Sequence, residues 1–470
     1  MTNDKSGAWK SARGMFTYSI GRLLSLSFII FQLSFRGVAA QTSDSLIFYQ
    51  LKDYGIRFTA DNSVTLLMSG QEKFDDMFEA IRQAKQSVHL EYFNFRNDSI
   101  AMLLFDILRQ KRSEGVEVRA LFDGFGNDSN NQPLKKHHLE ELWADSVSIY
   151  EFDPIRFPWV NHIWPRDHRK IVVIDGNVAY TGGMNVADYY IKGTEQVGAW
   201  RDMHCRIEGG AVNDLQRIFI STWKKTTGEE LTDPKYFRAE GVQECRSADK
   251  CSTAEVLSAN SELQDSCNSQ GASYFSGLKP DTTATAGHKL VGIVNREPHT
   301  TNDVMRYFYV NAIDDAQDSI RIINPYFTLT PSVTKALKRA IKRGVKVELM
   351  ISAKSDIPLT PDAAFYNMHR MMKRGAHVWR YQPGFHHSKI MMVDGRFCTV
   401  GSTNLDARSL RFDYEENAVI IDRHTTKELD DMFDRDKQES VYLTPETWRQ
   451  FRTRWQRFRG WFAHLLQPFL

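Results

Sequence analysis

The chain has 470 residues, 42% hydrophobic and 25% charged, which are globular values for two to three ordinary domains. Sixty basic residues against 58 acidic ones give a net charge of +2, so no global field steers nucleic acid and any anionic partner must be held by local charge. At the start, Lys5, Lys10, Arg13 and Arg22 precede an apolar run from Leu23 to Phe35, with Val38 and Ala40 following. That run is too short to span a bilayer comfortably. Residues 1–40 read as an export signal cut before Gln41, with Met15 offering a more ordinary start than Met1. An uncleaved, tilted membrane anchor and a buried helix are the alternatives.

From 41 to 237 strand and helix patterns alternate. AKQSVHLEYFNF at 84–95 is a helix end running into a strand. Met102, Leu103, Phe105, Ile107 and Leu108 mark a helix, and RSEGVEVRALFDGFG at 112–126 supplies a glycine turn and another strand. KIVVID, closed by Asp175-Gly176, is a continuous apolar run of the kind a buried strand shows. Residues 238–294 are rich in small polar residues and read as a flexible linker. The linker carries Cys245, Cys251 and Cys267, two of which could pair in an exported protein; no nearby histidine completes a familiar zinc spacing. The pattern then recurs over 295–443, with AQDSIRIINPYF at 316–327, IKRGVKVELMISAKSD at 341–356 and KIMMVD. Cys205 and Cys398 lie in strand-like apolar runs and read as core residues. Two such series predict an α/β protein of two similar halves, each a mixed sheet flanked by helices.

The tail, 444–470, begins with Thr444 as an N-cap and Pro445 at the first helical position. Trp448, Phe451, Trp455, Phe458, Phe462, Leu465 and Phe469 fall on one stripe, crowded by Arg449, Arg452, Arg454, Arg457 and Arg459. An aromatic face beside arginines suits the headgroup layer of an anionic membrane. A helix packed on the domain with an arginine-rich outer face is the alternative.

One constellation occurs twice. His168, Lys170, Asp175, Gly182 and Asn185 share their spacing with His387, Lys389, Asp394, Gly401 and Asn404. His387 carries the register; on a strand its neighbour His386 points to the opposite face and reads as structural. Residues i and i+2 of a strand share one face, about 7 Å apart, so imidazole and ammonium reach one site. The asparagine returns after a glycine turn as an amide donor. Two copies brought together make a pocket for a phosphodiester: lysines and amides neutralise its oxygens, one histidine attacks phosphorus, the other handles the alcohol proton. The lysines supply the positive charge, so no metal or other cofactor is expected.

HRKIVVIDGNVAYTGGMN and HSKIMMVDGRFCTVGSTN resemble the motifs of the phospholipase D superfamily. YQPGFHHSKIMMVDGRFCTVGSTNLDARSL, RDHRKIVVIDGNVAYTGGMNVADYY, LFDGFGN and NPYF are similar to bacterial cardiolipin synthases, and the likeness covers most of 45–440. The resemblance implies two pseudo-symmetric α/β halves sharing one active site, with His168, Lys170, Asp175, His387, Lys389 and Asp394 catalytic and Asn185 and Asn404 on the phosphate. It implies a phosphohistidine intermediate formed without a metal, and an acidic residue after each motif that orients a histidine. Asp202 matches in the first half and Glu415 in the second, with Glu416 adjacent and not excluded. Sequence does not settle which histidine attacks; His168 as nucleophile and His387 as acid/base is the order favoured. Asp413, standing where such synthases often have asparagine, the cysteine-bearing linker and the single apolar N-terminal segment depart from the pattern.

The implied activity is phosphatidyl transfer between two phosphatidylglycerol molecules, giving cardiolipin and glycerol. Implied partners are phosphatidylglycerol, other anionic phospholipids and the membrane surface, with the site on the outer face of the inner membrane if the chain is exported. A hydrolytic phospholipase D is the alternative. A nuclease of the superfamily ranks last, because it wants a wide basic groove and stacking aromatics.

Overall fold

The structure is a computed structural model that describes residues 42–155, 165–238, 288–301, 303–357 and 360–465. The expected export signal and the three linker cysteines lie outside the described residues. The first half carries β1 (Phe58–Leu67), β2 (Ser87–Tyr92), β3 (Glu117–Asp123), β4 (Ser148–Phe152), β5 (Ile171–Ile174), β6 (Val178–Gly182), β7 (Ala199–Arg201) and β8 (His204–Glu208). The second carries β9 (Lys289–Arg296), β10 (Ser319–Ile323), β11 (Lys346–Ser352), β12 (His377–Tyr381), β13 (Gly384–His386), β14 (Ile390–Val393), β15 (Phe397–Gly401), β16 (Glu415–Ile421) and β17 (Ser440–Leu443).

Fifteen of these strands form one sheet in the order β17-β12-β11-β10-β14-β15-β16-β9-β1-β8-β6-β5-β2-β3-β4. Without the edge strand β17 the order is palindromic, so each half contributes the same seven-strand pattern. The crossover strands β2-β3-β4 and β10-β11-β12 pair in parallel, and the other pairs are antiparallel, so each half is the mixed sheet expected. The halves join edge to edge through the antiparallel β1–β9 pair.

That junction corrects the linker boundary. Residues 289–294 belong to β9, which pairs with both β1 and β16. Val291, Ile293 and Val294 are buried there, and a run that apolar cannot stay in a solvated linker.

Local chemistry fixes the crossovers as the sequence predicts. Asp98 caps helix Ser99–Ser113, accepting from the Ala101 N–H at 3.3 Å, and Gly115 turns the chain at φ +88. In the second half Pro331 opens helix Pro331–Arg343 and Gly344 ends it at φ +97. One core runs beneath the junction, where Val64, Ile171, Cys205 and Leu215 of the first half join Ile390, Cys398, Ile420 and Phe433 of the second. Cys205 and Cys398 are free thiols inside it, as expected of core residues.

The tail helix starts later than its sequence suggests. A short 3-10 turn covers Thr447–Arg449, and the α-helix runs from Arg454 to Leu465. Trp448 accounts for the break: it is buried, donates from Nε1 to the Phe365 carbonyl at 3.2 Å and stacks on His369. The chain is thereby pinned before it turns, and Thr453 provides a fresh cap, accepting from the Gln456 N–H at 3.2 Å. Gly460 packs so closely on Asp362 that a Cβ would lie 2.6 Å from its carbonyl oxygen, and Ala463 is buried. The outer face leaves Trp455, Phe458, Trp461 and Phe462 between 46% and 64% exposed. Among the described residues no helix is long and apolar enough to cross a membrane.

Candidate active site

The two histidine motifs meet through an exchange of backbone between the halves. β7 and β13 pair in parallel, with Arg201 opposite His386. The same arrangement recurs as a single bridge between Asp167 and Tyr414. The residue after each of these is a motif histidine or its expected orienting acid: His387 and Asp202 at one crossing, His168 and Glu415 at the other. The His168 N–H donates to the Tyr414 carbonyl at 3.0 Å, and the His387 N–H to the Arg201 carbonyl at 2.6 Å.

Each histidine is therefore oriented by the carboxylate of the other half. His168 Nδ1 lies 3.1 Å from Glu415 Oε1, and His387 Nδ1 lies 2.7 Å from Asp202 Oδ2. A bond at Nδ1 leaves Nε2 to do the chemistry and sets its tautomer. The choice between the two glutamates is thus settled by geometry, because Glu416 accepts from Thr181 Oγ1 at 2.6 Å instead. Lys389 Nζ stands 2.8 and 3.0 Å from the His387 ring nitrogens and 3.9 Å from Asp202. Lys170 Nζ donates to the His168 carbonyl.

The glycine after β6 and the serine after β15 follow from the unequal acids. A Cβ on Gly183 would fall 2.2 Å from Asp202 Oδ1, so only glycine fits. At the matching place Ser402 donates to Glu415 Oε2 and lies 3.1 Å from Glu416 Oε2. Asn185 and Asn404, three residues beyond Gly182 and Gly401, are both buried, and their Oδ1 atoms have no hydrogen-bond partner. The unpartnered atom in both copies is the acceptor oxygen, so a phosphoryl oxygen would be met by the Nδ2 donors of these amides and not by Oδ1.

The catalytic expectation for Asp175 and Asp394 is corrected. Asp175 follows β5 at the end remote from His168 and accepts from the N–H groups of Lys85, Gln86 and Ser87 at 2.7, 2.7 and 2.9 Å. Asp394 does the same for Gln317, Asp318 and Ser319. Both sit in left-handed backbone, at φ +52 and +53, where aspartate is among the tolerated residues. They tie the turn to the neighbouring strand and hold the histidine strand in register. His386 behaves as expected, buried with Nε2 3.1 Å from Asp436.

Several neighbours were not legible in the motifs. Asp413 Oδ2 lies 3.6 Å from His168 Nδ1 and 2.6 Å from Arg408 Nε. Trp200, Tyr326 and Phe385 surround the His387 ring at 5.5, 5.9 and 5.2 Å between centroids, and Phe93 meets His168 edge-on at 4.7 Å. Lys73 is fully buried and donates to the Asn185 carbonyl at 3.3 Å. Of these, Tyr326 lies in NPYF, Phe385 and Arg408 lie in the long second motif, and Asp413 is the departure noted above, but no motif says that they meet the histidines.

Burial and charge set unlike protonation states. Burial, reinforced by Arg408 and Lys170 and opposed by Asp413, pushes His168 down to about 3, so its imidazole is neutral. Burial raises Glu415 to about 7 in spite of Lys170 and Ser402. Burial also lowers His387, with Lys389 adding and Asp202 opposing. Asp202 itself is held below the usual carboxylate range: Lys389 and His387 outweigh its burial. Burial, opposed by Asp202 and reinforced by Lys170, brings Lys389 down to about 8. Nδ1 of His168 and the carboxylates of Asp413 and Glu415 lie close enough together to hold a metal ion. Lys170 and Arg408 bear on the same imidazole, however, and a cation placed there would meet their repulsion. The donor set fits a protein-supplied positive field better than a resident metal.

Known proteins similar to this chain share one family. The family described as cardiolipin synthase, PLD-like domain, matches residues 77–223 and 309–437. A cardiolipin synthase of Oceanobacillus iheyensis is 32% identical over 426 residues, covering 90% of this chain and 79% of its own. A probable cardiolipin synthase of Bacillus subtilis is 30% identical over 84% of this chain and 70% of its own. In fold the chain is similar to a phosphatidylserine synthase of Haemophilus influenzae, with a TM-score of 0.63 at 15% identity over 90% of this chain and all of that one. A repeated His-x-Lys register, crossed carboxylates and relatives alike over most of their length place this chain in the cardiolipin synthase family of phospholipase D-like enzymes.

Proposed function

We propose that the chain transfers a phosphatidyl group from one phosphatidylglycerol to a hydroxyl of a second, releasing glycerol and forming cardiolipin. The observation that carries this reading is the crossed pair, two histidines each held at Nδ1 by the other half's acid around two lysines. His168, neutral at working pH, attacks phosphorus through Nε2. The P–O bond to the leaving glycerol breaks as the protonated fraction of His387, which Asp202 favours against burial and Lys389, gives it a proton. Lys170, Lys389 and the Asn185 and Asn404 amides stabilise the negative charge that develops on the phosphoryl oxygens. His387, now neutral, takes the proton of the incoming lipid hydroxyl, whose oxygen displaces His168 from phosphorus.

The substrates and the exposed aromatic face of the tail helix support working at a membrane surface. The N-terminal pattern supports export to the outer face of the inner membrane. The test is a product assay: purified protein given phosphatidylglycerol without added metal, with His168→Ala and His387→Ala in parallel. Cardiolipin and glycerol in equal amounts, lost in both variants, are expected. Phosphatidic acid as the sole product would overturn the synthase reading in favour of hydrolysis.

A further inference from the structure

A second basic cavity lies outside the histidine cluster. It encloses about 640 Å³ and is lined by Arg306, Lys335, Arg339 and Arg411. Among the described residues no carboxylate lines it. Two of the cations are already matched: Arg306 pairs with Asp303 at 2.7 Å and Arg339 with Asp314 at 2.9 Å. Lys335 and Arg411 are exposed and, among the described residues, pair with no carboxylate. The floor is the N-terminus of the thirteen-residue helix Pro331–Arg343, whose N-cap Thr330 makes no side-chain cap bond. The helix dipole and free N–H groups there favour an anion.

A second observation points to a ligand independently. Thr328 is 1% exposed, lines the cavity, and its Oγ1 has no hydrogen-bond partner. A hydroxyl buried that deeply without a partner is costly unless something donates to it or accepts from it. Thr328 and Ser332, with Lys335 and Arg411, offer the hydroxyl and cationic groups that a phosphodiester takes.

Position and lining select the source of the phosphate. Val310, Leu329 and Pro331 give the cavity apolar wall. One wall is His464 of the tail helix, whose outer aromatic face is exposed. Two others belong to segments that also carry residues of the histidine cluster or its surround: Thr328 is two residues beyond Tyr326, which packs on His387, and Ala407 is three residues beyond Asn404. We propose that this cavity binds the phosphate of a second anionic phospholipid, the one whose hydroxyl accepts the transferred group. The choice of lipid rests on the phosphatidyl-transfer reading; the anion site itself does not.

The test uses the full chain and the double substitution Lys335→Gln, Arg411→Gln, two exposed positions outside the histidine cluster. Lys342→Gln on the same helix, exposed and outside the cavity, is the control. Calorimetric titration with monomeric dihexanoyl phosphatidic acid is expected to give two equivalents bound in the unmodified chain and in the control, and one in the double variant. With phosphatidylglycerol, KM for cardiolipin formation should rise about tenfold in the double variant with kcat within about twofold, as loss of charge-assisted binding predicts. One equivalent in the unmodified chain, or two in the double variant, would overturn the site. Inorganic phosphate binding as tightly as the lipid would overturn the lipid assignment. Should the unmodified chain make no cardiolipin, the proposed function fails, and the titration still decides the cavity.

Discussion

His387 stands beside an ionised aspartate with a lysine ammonium against its ring; its counterpart His168 stands beside a glutamic acid whose carboxyl titrates near neutrality. The strand order, the motif spacing and the crossed backbone bonds are the same in both halves. The differences include one methylene in the acid, the glycine or serine facing it, the lysine against the His387 ring, and Asp413 with Arg408 beside His168 only. Repetition has therefore supplied two imidazoles, and small departures from symmetry give them different surroundings. Burial without a firmly ionised partner keeps His168 neutral, which a nucleophile requires. At His387 a fixed carboxylate opposes the lowering by burial and Lys389, and so favours the proton that an acid requires.

The comparison is broken hardest by removing either histidine. His168→Ala and His387→Ala should each lower kcat by at least about 10,000-fold, and the double variant little further, because the two act as one unit. Stopped assays of cardiolipin formation would show it, and additive losses would count against a shared site. The acids sharpen the difference. Asp202→Asn removes a permanent charge from His387 and should cost about a thousandfold in kcat; Glu415→Gln removes a group that is part-neutral already and should cost about tenfold to a hundredfold. Equal losses would mean that the fields are alike.

A pH profile adds a smaller effect. Lys389 is charged below its value of about 8 and neutral above it, so kcat/KM should fall tenfold per pH unit once pH passes about 8. In Lys389→Arg that alkaline limb should vanish, at a lower plateau. The smallest catalytic effect belongs to Asp175 and Asp394. Asp175→Ala leaves three N–H groups without their acceptor and should lower stability by about 2 kcal/mol in a denaturant titration, with kcat of the remaining folded enzyme near normal.

Much of this was legible in the chain. Alternating patterns and matched glycine turns predicted the crossover units, and the spacing alone picked His387 over His386. The sequence does not carry the exchange between halves: Asp202 and Glu415 were identifiable as orienting acids, yet nothing local says that each serves the distant histidine. Asp175 and Asp394 misled for a related reason. They keep step with the histidines because the turn they tie fixes the strand, and a spacing shared for folding looks the same as one shared for chemistry. The first residues of β9 read as linker because its apolar run abuts a stretch of small polar residues. The late start of the tail helix depends on Trp448 finding the Phe365 carbonyl, a contact 83 residues away.

The most direct measurement is to trap the covalent intermediate. Each single histidine variant would be mixed with phosphatidylglycerol, quenched in base, where phosphohistidine survives, and mapped by mass spectrometry. The account predicts a phosphatidyl adduct on His168 in His387→Ala and none on His387 in His168→Ala. An adduct on His387 in His168→Ala, with His168 unmodified in the other variant, would contradict it and reverse the roles of the two halves.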